Sequence, residues 1–219
     1  MDLNKRSKIL RYLDQQYPRV GCELHYRKDY ELLIAVVLSA QTTDQSVNRV
    51  TPSLFKSFPR LEDLATAPIL AIEKLIQSIG LFHTKAKHIK AIANILINKH
   101  NGHVPSDKAL LTQLPGVGVK TANVIRAELF KIPEIAVDTH VFRLSWRLGI
   151  SKKTDSVTIT EKKLRNAFPE NRYIKLHHQL IHFGRYACQA KKPACQRCPL
   201  QSICKEPHKN LEKPIINRG

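Results

Sequence analysis

Four cysteines crowd the C-terminal part of the chain, in Cys188-Gln-Ala-Lys-Lys-Pro-Ala-Cys195-Gln-Arg-Cys198-Pro-Leu-Gln-Ser-Ile-Cys204, with six, two and five residues between them. Thiolates are soft ligands. This spacing lets four of them converge on one centre, while Pro193 and Pro199 keep the segment from coiling into a single helix. The stretch reads as a metal or cluster site, and either a structural zinc or an iron–sulfur cluster takes four cysteines. Zinc ribbons show two separated Cys-x-x-Cys pairs, whereas only Cys195 and Cys198 have that spacing here. The opening residues Met1 to Lys8 carry mixed charge instead of an apolar leader, so a reducing, cytoplasmic setting is expected and disulfides are disfavoured. Cys22 stands apart and reads as a buried thiol.

A second constellation precedes the first. Leu114-Pro115-Gly116-Val117-Gly118-Val119-Lys120-Thr121-Ala122 lies between two helical segments, and Ala136-Val137-Asp138-Thr139-His140-Val141 follows. The two glycines admit backbone angles closed to other residues, so a tight turn can point its N–H groups at an anion. A helix starting near Gly118 adds its positive end, giving a phosphate seat made of backbone. Lys120 falls in the first turns of that helix, where partial burial and the dipole would favour the free amine and nearby phosphates would oppose it. Asp138 reads on its own as the N-cap of a helix beginning near His140. His140 belongs to no His-x-x-x-His pair, so a structural or phosphate-contacting role is expected of it.

Composition agrees with a polyanionic partner. The chain of 219 residues has 36 Lys and Arg against 18 Asp and Glu, a formal net charge of +18, which favours long-range attraction to nucleic acid. A membrane partner is not expected: the longest apolar run, Leu32 to Ala40, is far short of the ~20 residues that span a bilayer and reads as a buried helix.

Apolar periodicity supplies the elements that must position these groups. Ala86, Ile89, Ile92, Ala93 and Leu96 recur at threes and fours, while Lys85, Lys87, Lys90 and Lys99 supply a basic outer face, predicting an amphipathic helix over 84–100. Similar patterns predict helices near 4–16, 30–40, 44–57, 69–79, 106–112, 118–130, 140–148, 157–167 and 172–187. Convincing strand signals are missing, so the fold class is all-α. Pro and Gly punctuation separates short helices, and no linker, internal repeat or low-complexity tract divides the chain.

Taken together, the Leu-Pro-Gly-Val-Gly-Val-Lys hairpin, the Val137-Asp138-Thr139-His140 segment and the six-two-five cysteine pattern resemble the endonuclease III family of helix-hairpin-helix DNA glycosylases with abasic-site lyase activity. The likeness covers nearly the whole chain. It implies two helical lobes flanking a DNA-binding cleft: 22–132 as a helical-barrel lobe holding the hairpin, and 1–21 with 133–219 as a discontinuous lobe holding the cluster loop at 188–204. It implies a [4Fe-4S] cluster on Cys188, Cys195, Cys198 and Cys204. Lys120 would be the nucleophile that expels a flipped base and forms a Schiff base, followed by β-elimination. Asp138 would be catalytic, facing Lys120 across the sugar. Ser39-Ala40-Gln41-Thr42 resembles the family loop that fills the gap left by the flipped base, and Gln41 has both donor and acceptor for the orphaned partner.

Leu81 is a candidate wedge between bases, although a leucine is more often core. Gly116, Gly118, Val119, Thr121, His140 and Lys191 complete the expected DNA contacts, Lys191 with Lys192 and Arg197 in the loops between the cysteines. The expected partner is double-stranded DNA with oxidised pyrimidines or abasic sites, bound by a monomer in a bacterial-type cytoplasm and associated with the nucleoid. Two rivals remain. A monofunctional adenine mismatch glycosylase shares the fold and cysteines but lacks the hairpin lysine, and a noncatalytic iron–sulfur DNA-binding or redox-sensing protein would not need both Lys120 and Asp138.

Overall fold

The computed structural model describes residues 1–206. Its α-helices, in chain order, are α1 (Leu3–Gln16), α2 (Asp29–Leu38), α3 (Asp44–Ser57), α4 (Leu61–Thr66), α5 (Ile69–Ile76), α6 (Phe82–His100), α7 (Lys108–Thr112), α8 (Val119–Phe130), α9 (Thr139–Arg147), α10 (Val157–Ala167) and α11 (Tyr173–Tyr186). Among the described residues there is no strand, so the fold is all-α. Two compact units make up the chain, Cys22–Ile132 and Met1–Gly21 with the stretch from Pro133 onward. Residues 207–219, which the expected second lobe included, lie outside the described residues.

The unit formed by Cys22–Ile132 is built on α2, which is apolar all round because neighbours cover it. Leu32, Leu33, Ile34, Ala35 and Leu38 are all fully buried, and α3, α6 and α8 pack against it. Full burial of such side chains is worth about 1.5–3 kcal/mol each. The apolar stripe of α6 enters the same core through Ala86, Ile89, Ile92, Ala93 and Leu96, and α4 and α5 lie against it. One residue departs from the expected pattern: Lys85 is buried instead of belonging to the basic outer face.

Several boundaries shift for local reasons. Helix α2 stops at Leu38 instead of 40, where the Ser39 hydroxyl donates to the Val36 carbonyl at 2.8 Å. Helix α7 starts at Lys108 instead of 106 because the Asp107 carboxylate accepts the Leu110 N–H at 2.9 Å. Helix α5 ends at Ile76 instead of 79. Helix α4 escapes a reading from periodicity, since six residues are too few to display a period.

The other unit packs α11 against α1 and α9, with α10 on α9. Its core includes Ile9 and Leu13 from α1, Val141 and Leu144 from α9, and Leu176, Leu180 and Phe183 from α11. Leu200, from the cysteine-rich stretch, joins that core. The N-terminal helix is thus tied to the C-terminal elements by apolar contact.

Candidate functional site

The hairpin between α7 and α8 is set by one glycine. Gly116 has φ 78°, a left-handed angle that costs a residue with a Cβ. A Cβ there would also meet His88 Nδ1 at 2.6 Å and Val37 Cγ1 at 3.1 Å. Gly118 corrects the expectation that both glycines supply forbidden angles: its φ of −90° and ψ of 179° are open to any residue, and a Cβ added there would meet nothing within 4 Å. Its lack of a side chain leaves open space in front of the helix start.

Gly118 is the N-cap of α8 and no side chain caps this end, so the first-turn N–H groups present a positive helix terminus. Val119, Lys120 and Thr121 occupy that turn. Lys120 and Val119 are exposed and Thr121 is half-buried. The partial burial expected of Lys120 is therefore absent, because its position on the first turn projects it away from the α2–α8 packing.

Two further loops of this unit hold unusual backbone. Gln41, between α2 and α3, has φ 54°, and Leu81, just before α6, has φ 60°. Leu81 is 58% exposed, which removes the core reading for this leucine. Gln41 is exposed as well. A bulky side chain held outward on strained backbone is a feature of sites shaped for something other than packing.

In the unit containing α9, Asp138 does cap that helix: its Oδ1 accepts the Val141 N–H at 2.7 Å. His140, one residue into α9, is half-buried, and Arg143 Nη2 lies 3.2 Å from its Nδ1. Burial lowers the His140 pKa; Asp138 and a hydrogen bond to the Gly184 backbone oppose the shift, while Arg143 and Arg185 reinforce it.

The four cysteines line one cavity of about 220 Å³, walled on the protein side by Tyr12, Tyr17 and Phe183. Among the described residues no three Cys, His, Asp or Glu side chains gather as ligands of one ion. Sulfurs spread around a cavity suit a polynuclear cluster, in which each iron takes its own thiolate, better than one tetrahedral zinc. The loop is fixed by backbone. Cys188 N donates to Phe183 O at 2.7 Å, Ala194 N to Ala187 O at 2.9 Å and Lys205 N to Arg147 O at 2.6 Å. Lys191, Lys192 and Arg197 are exposed on it.

Sequence reasoning missed two arginines of α9. Arg147 is buried, donates through Nη1 to Cys188 Sγ at 3.3 Å and to Gln189 O at 2.8 Å, and pairs with Glu206 at 2.7 Å. Arg143 donates to the carbonyls of Gly184 and Cys188 at 2.9 and 3.1 Å. Burial raises the Cys188 pKa and Arg147 works against that shift. The available signal was an Arg-x-x-x-Arg pair on the helix that Asp138 begins.

Comparison with known proteins decides what this arrangement belongs to. Residues 34–170 match the sequence model of the HhH-GPD superfamily of base excision DNA repair proteins, and residues 188–204 match the iron–sulfur binding domain of endonuclease III. Endonuclease III of Bacillus subtilis (strain 168) is 44% identical over 218 residues, covering 100% of both chains. The chain belongs to the endonuclease III family. It is a base excision DNA repair enzyme, a DNA glycosylase and abasic-site lyase, and it carries a [4Fe-4S] cluster.

Endonuclease III of Escherichia coli (strain K12) is 41% identical, with 93% of this chain and 96% of that one aligned. Among solved structures, a non-covalent endonuclease III–DNA complex superposes with a TM-score of 0.90 at 44% identity, covering 94% of this chain and 96% of that one. A trapped endonuclease III–DNA covalent intermediate superposes with a TM-score of 0.87 at 45% identity, covering 91% and 95%. Among the described residues, no helix of this endonuclease III family member is long and apolar enough to cross a membrane.

Proposed function

We propose that this enzyme removes oxidised pyrimidines from double-stranded DNA and cleaves the strand at the abasic site, with Lys120 as nucleophile and Asp138 as its catalytic carboxylate. The observation that carries this reading is the exposed amine of Lys120 on the uncapped first turn of α8, beside the open space at Gly118. Backbone N–H groups there seat a phosphate without reading sequence, which leaves the lysine beside the sugar.

The chemistry follows from an amine and a carboxylate. With the damaged base flipped out, the Lys120 amine bonds to C1′, and the base leaves with the electron pair of the glycosidic bond and is protonated. The amine loses a proton, the C1′–O4′ bond breaks as the nitrogen lone pair forms the C=N bond, and O4′ takes up that proton, giving a protonated imine on an opened sugar. That cation acidifies C2′; removal of a C2′ proton expels the 3′ phosphate and breaks the strand. Asp138 takes the amine proton or stabilises positive charge at the sugar through the carboxylate oxygen that the α9 cap does not use. The covalent intermediate trapped for an endonuclease III–DNA complex supports the same route.

Cys188, Cys195, Cys198 and Cys204 hold the cluster, whose loop presents Lys191 to the DNA backbone. Gly116, Gly118, Val119 and Thr121 make the hairpin's phosphate contact, and His140 contacts another phosphate. Gln41 and Leu81, exposed on left-handed backbone, would fill the space of the flipped base. The enzyme works as a monomer in the cytoplasm, on the nucleoid, and a net charge of +18 supports the attraction to DNA.

Borohydride trapping on duplex DNA containing an oxidised pyrimidine tests the proposal. The unaltered protein should give a covalent adduct and Lys120→Ala none, with DNA affinity largely kept. Strand cleavage by Lys120→Ala at a near-normal rate would remove Lys120 from the mechanism. Affinity should fall with salt at a log–log slope of about 0.9 per neutralised phosphate.

A further inference from the structure

Helix α6 carries a lysine where packing alone would favour an apolar side chain. Lys85 is 3% exposed and lies one turn into the helix, where the unpaired N–H groups already make the surroundings positive. Burial lowers its pKa from the usual lysine range. The amine thus works against both solvation and the helix dipole, and its place in the fold depends on what it holds.

It holds two loops. The Lys85 backbone N–H donates to the Leu81 carbonyl at 3.0 Å, and Nζ donates to Thr42 Oγ1 at 2.8 Å. The Thr42 hydroxyl donates in turn to the Ala40 carbonyl at 3.4 Å, so the contact reaches across Gln41. Gln41 and Leu81 both have left-handed backbone. The other non-glycine residues with positive φ, Asn101 and Lys131, directly follow helices α6 and α8, where such angles are ordinary. The two loop residues have no such reason and need outside support.

We propose that Lys85 is a positioning residue that ties the Gln41 loop to the start of α6 beside Leu81, holding Gln41 in the left-handed conformation that presents its side chain to the space vacated by a flipped base. The inference rests on the reading of Gln41 and Leu81 as gap-filling residues. Without the amine, the Gln41 loop relaxes toward commoner angles and the cost of ordering it returns at the flipping step. Base release should suffer, while strand cleavage at a site with no base to extrude should not.

Single-turnover rates on two duplexes test this, one with a paired oxidised pyrimidine and one with a preformed abasic site. Lys85→Met keeps length and suits a buried position. Thr42→Val removes the same hydrogen bond from the surface side, and serves should Lys85→Met fail to fold. Each should slow base release about tenfold and abasic-site cleavage by less than about twofold. The double variant should be no slower than either single one, since both remove one interaction. Thr42→Ser keeps the hydroxyl and should restore the normal ratio. If Lys85→Met leaves the ratio unchanged while Gln41→Ala lowers it, the positioning role is wrong and the gap-filling reading stands. Additive losses in the double variant also overturn it. If Gln41→Ala and Leu81→Ala slow both substrates equally, the gap-filling reading fails and takes this proposal with it.

Discussion

Gly116 faces the imidazole of His88 so closely that a Cβ on the glycine would lie 2.6 Å from Nδ1. The contact joins the hairpin to α6, and together with the left-handed φ of 78° it excludes any other residue without movement. Two residues on, Gly118 has neither restriction. The hairpin's shape therefore depends on Gly116, and its open face on Gly118.

Substituting each glycine by alanine should separate these roles. Gly116→Ala should lose about 1–3 kcal/mol of stability, read from urea unfolding. Gly118→Ala should stay within about 1 kcal/mol of the unaltered protein and still bind duplex DNA more weakly in fluorescence anisotropy, because the added methyl stands where a phosphate approaches. Normal affinity for a folded Gly118→Ala would argue against a phosphate in that space.

Asp138 combines a cap, which is visible, with a proposed chemical role. Asparagine caps a helix about as well as aspartate, so Asp138→Asn should melt within about 0.5 kcal/mol of the parent while its single-turnover rate falls about a hundredfold or more. Asp138→Ala should lose rate and, in addition, about 1 kcal/mol of stability. Normal turnover in a destabilised Asp138→Asn would leave the carboxylate with a capping role alone.

Metal content tests the cysteine cavity. The purified protein should contain about four irons per chain and no stoichiometric zinc by mass spectrometry of the metals. Cys195→Ala should lose the cluster and DNA affinity together, since Leu200 and Pro193 are the buried apolar residues between the outer cysteines and cannot hold the loop alone. One zinc per chain in the unaltered protein would overturn the cluster assignment.

Cys22 is half-buried instead of the buried thiol expected from the sequence, and it should still be inert at neutral pH. Burial pushes its thiol up to about 12, the Leu24 backbone opposes that, and Glu128, Asp44 and Glu23 add to it. At pH 8 the thiolate fraction is then about one in ten thousand, so iodoacetamide should leave Cys22 unmodified in the native protein and label it after denaturation. Reactivity should appear only as pH rises toward 12. Fast native labelling at pH 8 would contradict the burial.

The all-α class, the helices and the cysteine-rich loop were legible in the residues because each rests on local information. The stripe of α6 repeats at helical spacing, Asp138 stands where a cap must, and four cysteines with two prolines can do little except fold round a centre. The boundary errors at α5 and the missed α4 come from segments too short to display a period. Tertiary structure alone decided what each special residue does. Nothing local marks Gly116 as strained and Gly118 as relaxed, since both glycines permit either state and only His88, Val37 and the direction of the chain select one. Lys85 fits the basic face of α6 by period, yet neighbours from the Gln41 loop cover it. A left-handed angle at Gln41 or Leu81 is unfavourable for the isolated residue, so it exists only where contacts from distant parts of the chain outweigh that preference.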